Sequence, residues 1–78
     1  MQLDDARDAY GLANMSRLTP REKDVLKHMA LGLTNREIAD RLRISIRTVD
    51  AHLRSIYAKL DVKSRSAATR YAVDHGMV

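Results

Sequence analysis

Arg54 stands three residues after Ala51 and seven after Arg47, with Asp50 between them, so on a helix these side chains share one face at intervals of three and four. A guanidinium in that place presents a planar fork of donors that matches the paired acceptors on a guanine edge, and the alanine beside it removes bulk, which lets the backbone approach or touch a thymine methyl. Around this face Thr34, Asn35, Ser45, Arg47, Thr48, Lys59, Lys63 and Arg65 supply hydroxyls, an amide and cations of the kind that hold phosphate oxygens. Contacts of that sort fix docking without reading sequence. The chemistry is recognition of an anionic polymer.

Bond-making chemistry finds no support. The acidic pairs Glu22 with Asp24 and Asp40 with Asp50 have no cavity to serve in so short a chain, and no phosphate loop, nucleophile elbow or metal motif occurs. Cysteine is absent, which removes disulfides, thiolate metal sites and a thiol nucleophile together. His28, His52 and His75 lack ligand spacing, so no metal and no cofactor is expected; His52, beside an apolar stripe, reads as a packing residue or phosphate donor. Tyr57 and Tyr71 lie near apolar stripes and read as closing a core or a seam between copies. Stacking of Tyr57, Tyr71 or Tyr10 on bases is the lesser alternative. The chain reads as a non-enzyme.

Helices must position these groups. Leu18, Thr19, Pro20, Arg21 and Glu22 combine a hydrophobic lead-in, a Thr cap, Pro at the first helical place and Glu three after the cap, so a helix starts at Pro20. Val25, Leu26 and Met29 mark its apolar stripe and Gly32 its end. Thr34 and Glu37 repeat the cap spacing and open a helix from Asn35 to Leu42, with Ile38, Ala39 and Leu42 inward. Ser45 caps a third, in which Ile46, Val49, Leu53, Ile56 and Leu60 recur every three or four residues opposite the face of Arg47, Asp50, Ala51, Arg54 and Ala58. Ser64 caps a fourth, carrying Ala67, Ala68, Tyr71, Ala72 and Val73, with Gly76 as its stop. Only Arg43, Ile44 and Ser45 separate the second helix from the third, a spacing suited to the steep crossing of a helix-turn-helix.

The 78 residues allow one domain, and with no Phe or Trp its core must be built from Leu, Ile, Val, Ala and Met. The fold class expected is all-α, a compact four-helix domain over 17–78. Residues 1–16 read as a linker or loosely attached segment. That segment is acidic, with three Asp against Arg7, whereas residues 17–78 carry thirteen bases against seven acids. A basic compact part favours nucleic acid or another anionic surface. No apolar run reaches a membrane-spanning length and the N-terminus lacks the order of a signal peptide, so the expected compartment is cytoplasmic, with no membrane partner.

From Leu18 to Val78 the chain resembles the LuxR-type (GerE-like) DNA-binding domain of bacterial response regulators and quorum-sensing regulators. The string LTPREKDVLKHMALGLTNREIADRLRISIRTVDAHLRSIYAKLDV, then KSR and an alanine-rich last helix, carries the resemblance over 61 of 78 residues. It implies sequence-specific binding of double-stranded DNA as the output domain of a transcriptional regulator, on an inverted-repeat operator, with RNA polymerase as a further candidate partner. Arg54 and Ala51 match base-reading positions; Thr34, Ser45, Thr48, Lys59, Lys63 and Arg65 match or adjoin backbone-supporting ones. Ala67, Ala68, Tyr71 and Ala72 resemble the surface through which two such domains pair, a homodimer weak in isolation.

One position departs from the pattern. The residue after Thr48 and Val49 is usually Lys in this family and is here Asp50. An acid at that place repels phosphates yet accepts a hydrogen bond from cytosine N4, or it holds Arg47 or Arg54 through i−3 and i+4 spacing; the pairing is the favoured reading. If Asp50 instead spoils the contact, the alternative is a protein-interaction or dimerisation domain on the same scaffold. A sigma-factor promoter-reading domain shares the two-helix pattern but not the Thr-Val-Asp-Ala-His stretch, the Lys-Leu-Asp-Val close or the fourth helix.

Overall fold

A computed structural model describes residues 15–78. Four helices and no strand occur among them: α1 (Pro20–Ala30), α2 (Asn35–Leu42), α3 (Ile46–Leu60) and α4 (Arg65–Asp74). The N-terminal segment expected over 1–16 lies, apart from Met15 and Ser16, outside the described residues. α1 packs on both α3 and α4, and α2 packs mainly on α3.

Each helix starts on a hydroxyl cap. Thr19 and Thr34 form reciprocal boxes with Glu22 and Glu37, in which the hydroxyl accepts the N–H three residues on and the carboxylate accepts the cap N–H at 2.8 Å. Ser45 accepts from the Thr48 N–H at 3.0 Å, and Ser64 from that of Ala67 at 3.1 Å. Spacing of three makes these starts a local matter, and the helices begin where the sequence places them.

The ends share a second device. Gly32, Arg43, Asp61 and Gly76 all adopt left-handed backbone, with φ of 96°, 58°, 56° and 72°. After each comes an apolar residue, Leu33, Ile44, Val62 or Met77, whose N–H turns back to the carbonyl five residues earlier, at His28, Ala39, Tyr57 and Ala72. This is the Schellman closure, and all four apolar residues pack against the core. The two glycines are the expected stops. Arg43 and Asp61 do the same work without glycine, Asp being a type that tolerates the left-handed region and Arg one for which it is costly.

Val25, Leu26, Ile38, Val49, Ile56, Ala68 and Ala72 are wholly buried and form the centre of the core. Two expectations need correction. Ile46 opens the apolar stripe of α3 but lies in its first turn and is exposed. Ala68 and Ala72, expected at a surface between copies, point inward instead: their small side chains let α4 lie close against α1.

Candidate nucleic-acid interface

The turn Arg43–Ser45 swings the chain from α2 into α3 and leaves Arg47, Asp50, Ala51, Arg54 and Ala58 exposed along one side of α3. The opposite side, Val49, Leu53, Ile56 and Leu60, is buried. The helix is therefore held by one face and offers the other, fifteen residues long and roughly 22 Å in length, to a partner. An α-helix of ordinary width fits the major groove of B-form DNA.

Beside that face lies a polar chain that joins three helices. Arg65, first residue of α4, donates from Nη2 to the Leu33 carbonyl at 2.6 Å and from Nη1 to Asn35 Oδ1 at 2.7 Å. Asn35, first residue of α2, passes the interaction on, its Nδ2 donating to Asp50 Oδ1 at 3.0 Å. In place of the expected pairing of Asp50 with Arg47 or Arg54, the carboxylate is held by Asn35 at the start of α2. Asn35, Asp50, Leu53, Arg54, Tyr57 and Arg65 line an open depression of about 280 Å³ at the junction.

Lys59 also differs from expectation. Its ammonium lies 2.8 Å from Glu22 Oε1, the oxygen that already accepts from the Thr19 N–H, so it braces the C-terminal half of α3 against the start of α1 rather than facing outward for phosphate. Glu22 is only 4% exposed. Burial alone would raise its pKa, but hydrogen bonds from the Lys59 and Ser55 side chains and the Thr19 N–H, with the Lys59 charge, outweigh it and bring the pKa down to about 2. Glu37 is lowered too, chiefly by the backbone and hydroxyl of Thr34. Sequence reading missed the Glu22 to Lys59 clamp. The only signal for it was a capping glutamate that also falls on an apolar stripe.

Of the remaining candidate contacts, Thr34 and Ser45 are helix caps. Thr34, Ser45 and Lys63 are exposed and Thr48 is half-buried, its hydroxyl 2.9 Å from that of Ser45. The Thr34 oxygen accepts from its own helix and leaves its proton to give outward, a polarity suited to anions, whereas Ser45 accepts from the Thr48 N–H and shares with the Thr48 hydroxyl a bond in which either is the donor. Of the expected pairing surface, Ala67 and Tyr71 are half-buried; Tyr71 stacks on His75 with ring centroids 4.0 Å apart. Tyr57 closes the core with its hydroxyl directed at Met29 Sδ, 4.0 Å away. His52 is half-buried, and no group of side chains suited to a metal occurs among the described residues. No helix among them is long and apolar enough to cross a membrane.

Comparison with known proteins agrees with this geometry. Residues 16–72 match the family model described as bacterial regulatory proteins, luxR family. The nitrate/nitrite response regulator protein NarP of Escherichia coli is 54% identical over 65 residues, which cover 81% of this chain and 30% of that protein. The transcriptional regulatory protein MctR of Rhizobium johnstonii is 41% identical over 61 residues, 78% of this chain and 28% of that protein, and the response regulator protein VraR of Staphylococcus aureus is 41% identical over 78% and 29%. The chain spans about three tenths of the length of these relatives. With capped helices, a three-residue turn, an exposed basic face on α3 and a family match over most of its length, the chain belongs to the luxR family of bacterial regulatory proteins.

Proposed function

We propose that α3 docks in the major groove of double-stranded DNA, with Arg54, Ala51, Asp50 and Arg47 turned to base edges. Membership of the luxR family makes the domain a DNA-binding output unit of a transcriptional regulator; the finer reading concerns which residues do what. The exposed side of α3, which carries two arginines around an alanine on a helix fixed by its opposite side, supports it most. Thr34, Ser45, Thr48 and Lys63 hold phosphates, and Arg65 and Asn35 contribute through whichever donors the polar chain leaves free. Lys59 has no part in this. No catalytic role, metal or cofactor belongs to the reading, and its setting is the cytoplasm, where the DNA is.

Two copies would read two half-sites about one helical turn apart in an inverted repeat. Ala67 and Tyr71, together with the exposed Val73, form the side of α4 left for the second copy, now without the buried Ala68 and Ala72. So small a surface is in keeping with a pairing that is weak away from DNA.

An amide NMR titration with a mixed-sequence duplex at low and moderate salt tests the reading. Salt-sensitive shifts are expected along Arg47 to Ala58 and at Thr34 and Ser45. A folded chain with no such shifts would overturn it.

A further inference from the structure

We propose that Asp50 is a base-selecting residue: Asn35 holds one carboxylate oxygen, and the other accepts a hydrogen bond from the amino group of cytosine or adenine in the major groove. The inference rests on the docking reading above and adds to it the identity of the base edge read and the residue that fixes the reader.

The Asn35 amide is held from both sides. Its Oδ1 receives a proton from the Arg65 guanidinium and its Nδ2 gives one to Asp50, so the amide has only one satisfactory orientation: turned over, it would set oxygen against carboxylate and NH2 against guanidinium. Arg65 is itself fixed by a second acceptor, the Leu33 carbonyl. A positive group thus polarises an amide, and the amide holds a negative one. The Asp50 side chain, which on an exposed helix would sample several rotamers, is anchored at Oδ1 from outside its own helix.

Among the described residues no hydrogen bond occupies Asp50 Oδ2, and the residue is exposed on the side of α3 shared with Arg47 and Arg54. An ionised carboxylate only accepts. The groove presents just two kinds of donor to it, cytosine N4 and adenine N6, whereas guanine O6 and N7 and thymine O4 are acceptors that it repels. The same negative charge that weakens attraction to phosphates therefore becomes a filter. The cost is offset by the neighbouring cations: Arg65 at the far end of the polar chain, and Arg47 and Arg54 three and four residues away.

The test is selection from a random duplex library with the 78-residue chain, followed by binding titrations on single-base variants of the selected site. The wild type is expected to prefer cytosine or adenine over guanine or thymine about tenfold at one position per half-site. Asp50→Asn keeps an oxygen for Asn35 and replaces the free oxygen by a donor, so the preference at that position should reverse toward guanine or thymine while the others stay. Asn35→Ala leaves the carboxylate but unties it, and the preference should shrink severalfold without changing sign. Circular dichroism checks that both variants keep the helical content of the wild type.

The proposal is overturned if Asp50→Asn leaves the base profile unchanged, if every position weakens equally, or if Asn35→Ala retains the full preference. Arg54→Ala separates this failure from that of the docking reading. Should Arg54→Ala alter one position while Asp50→Asn alters none, only the role of Asp50 falls. If neither alters any, or the wild type enriches no site, both fall.

Discussion

Replacing Lys59 by Met keeps most of the apolar stem and removes the cation from Glu22. A carboxylate whose pKa falls from an ordinary 4.5 to about 2 on folding contributes about 3 kcal/mol at neutral pH. Lys59 makes the largest of the hydrogen-bond contributions that lower the pKa and supplies the nearby positive charge, so removing the cation should cost on the order of 2 kcal/mol. In a domain of this size the loss lowers the melting temperature by about 10 °C. The pH dependence carries the sign of a depressed carboxylate: the contribution is complete above about pH 4.5 and disappears as pH falls through about 2. In Lys59→Met the folded pKa rises toward the unfolded one, so this acid-dependent loss shrinks and ends at higher pH. DNA binding should keep the wild-type salt slope, since the ammonium is engaged by Glu22. Melts from pH 2 to 7 and fluorescence anisotropy across a salt series measure both. A Lys59→Met chain with unchanged melting and acid behaviour, but a salt slope lower by about one, would refute the clamp and return Lys59 to the phosphates.

Further outcomes follow from the same assignments. Arg54→Ala should cost about 1 to 3 kcal/mol on the correct site and little on random duplex, seen in competition titrations. Lys63→Ala should weaken all sequences alike and reduce the salt slope by about 0.9, leaving the melting temperature unchanged. Asp61→Asn, at the negative end of α3 and in left-handed backbone, should stabilise the domain by about 0.5 kcal/mol in urea titrations, because it removes a charge of the wrong sign and keeps a residue type tolerant of that conformation. Ile38→Ala, at a fully buried site, should cost about 2 to 5 kcal/mol by the same measurement.

What was legible in the residues was what acts over three or four positions. Thr19 with Glu22 and Thr34 with Glu37 announce helix starts because the bonds they make are that short in sequence, and the stripe from Val49 to Leu60 declares its buried side by spacing alone. Arg43 and Asp61 gave no such notice, because a left-handed stop is legible only when glycine occupies it. Asn35 and Asp50 are 15 residues apart and Glu22 and Lys59 are 37 apart. Local pattern cannot join them, and a charged residue beside a basic face reads as a phosphate contact until its partner is known. Ala68 and Ala72 were ambiguous for another reason: a run of small side chains is what close packing within one chain requires and equally what close packing between two would require.

The left-handed closures bear on which changes of length the chain tolerates. Leu33 and Ile44 each close the preceding helix through a backbone bond and stand directly before the cap of the next, so one residue serves as the end of one element and the threshold of another. Surface loops ordinarily absorb extra residues at little cost, since loop-closure entropy grows only slowly with length. Here one inserted residue at Ile44 would part the stop from the start and rotate α3, and with it the face of Arg54, relative to everything that braces it. Apart from Leu33 and Ile44, which pack against the core, side chains in these connections are free to vary within the rules of their backbone. Their number is not.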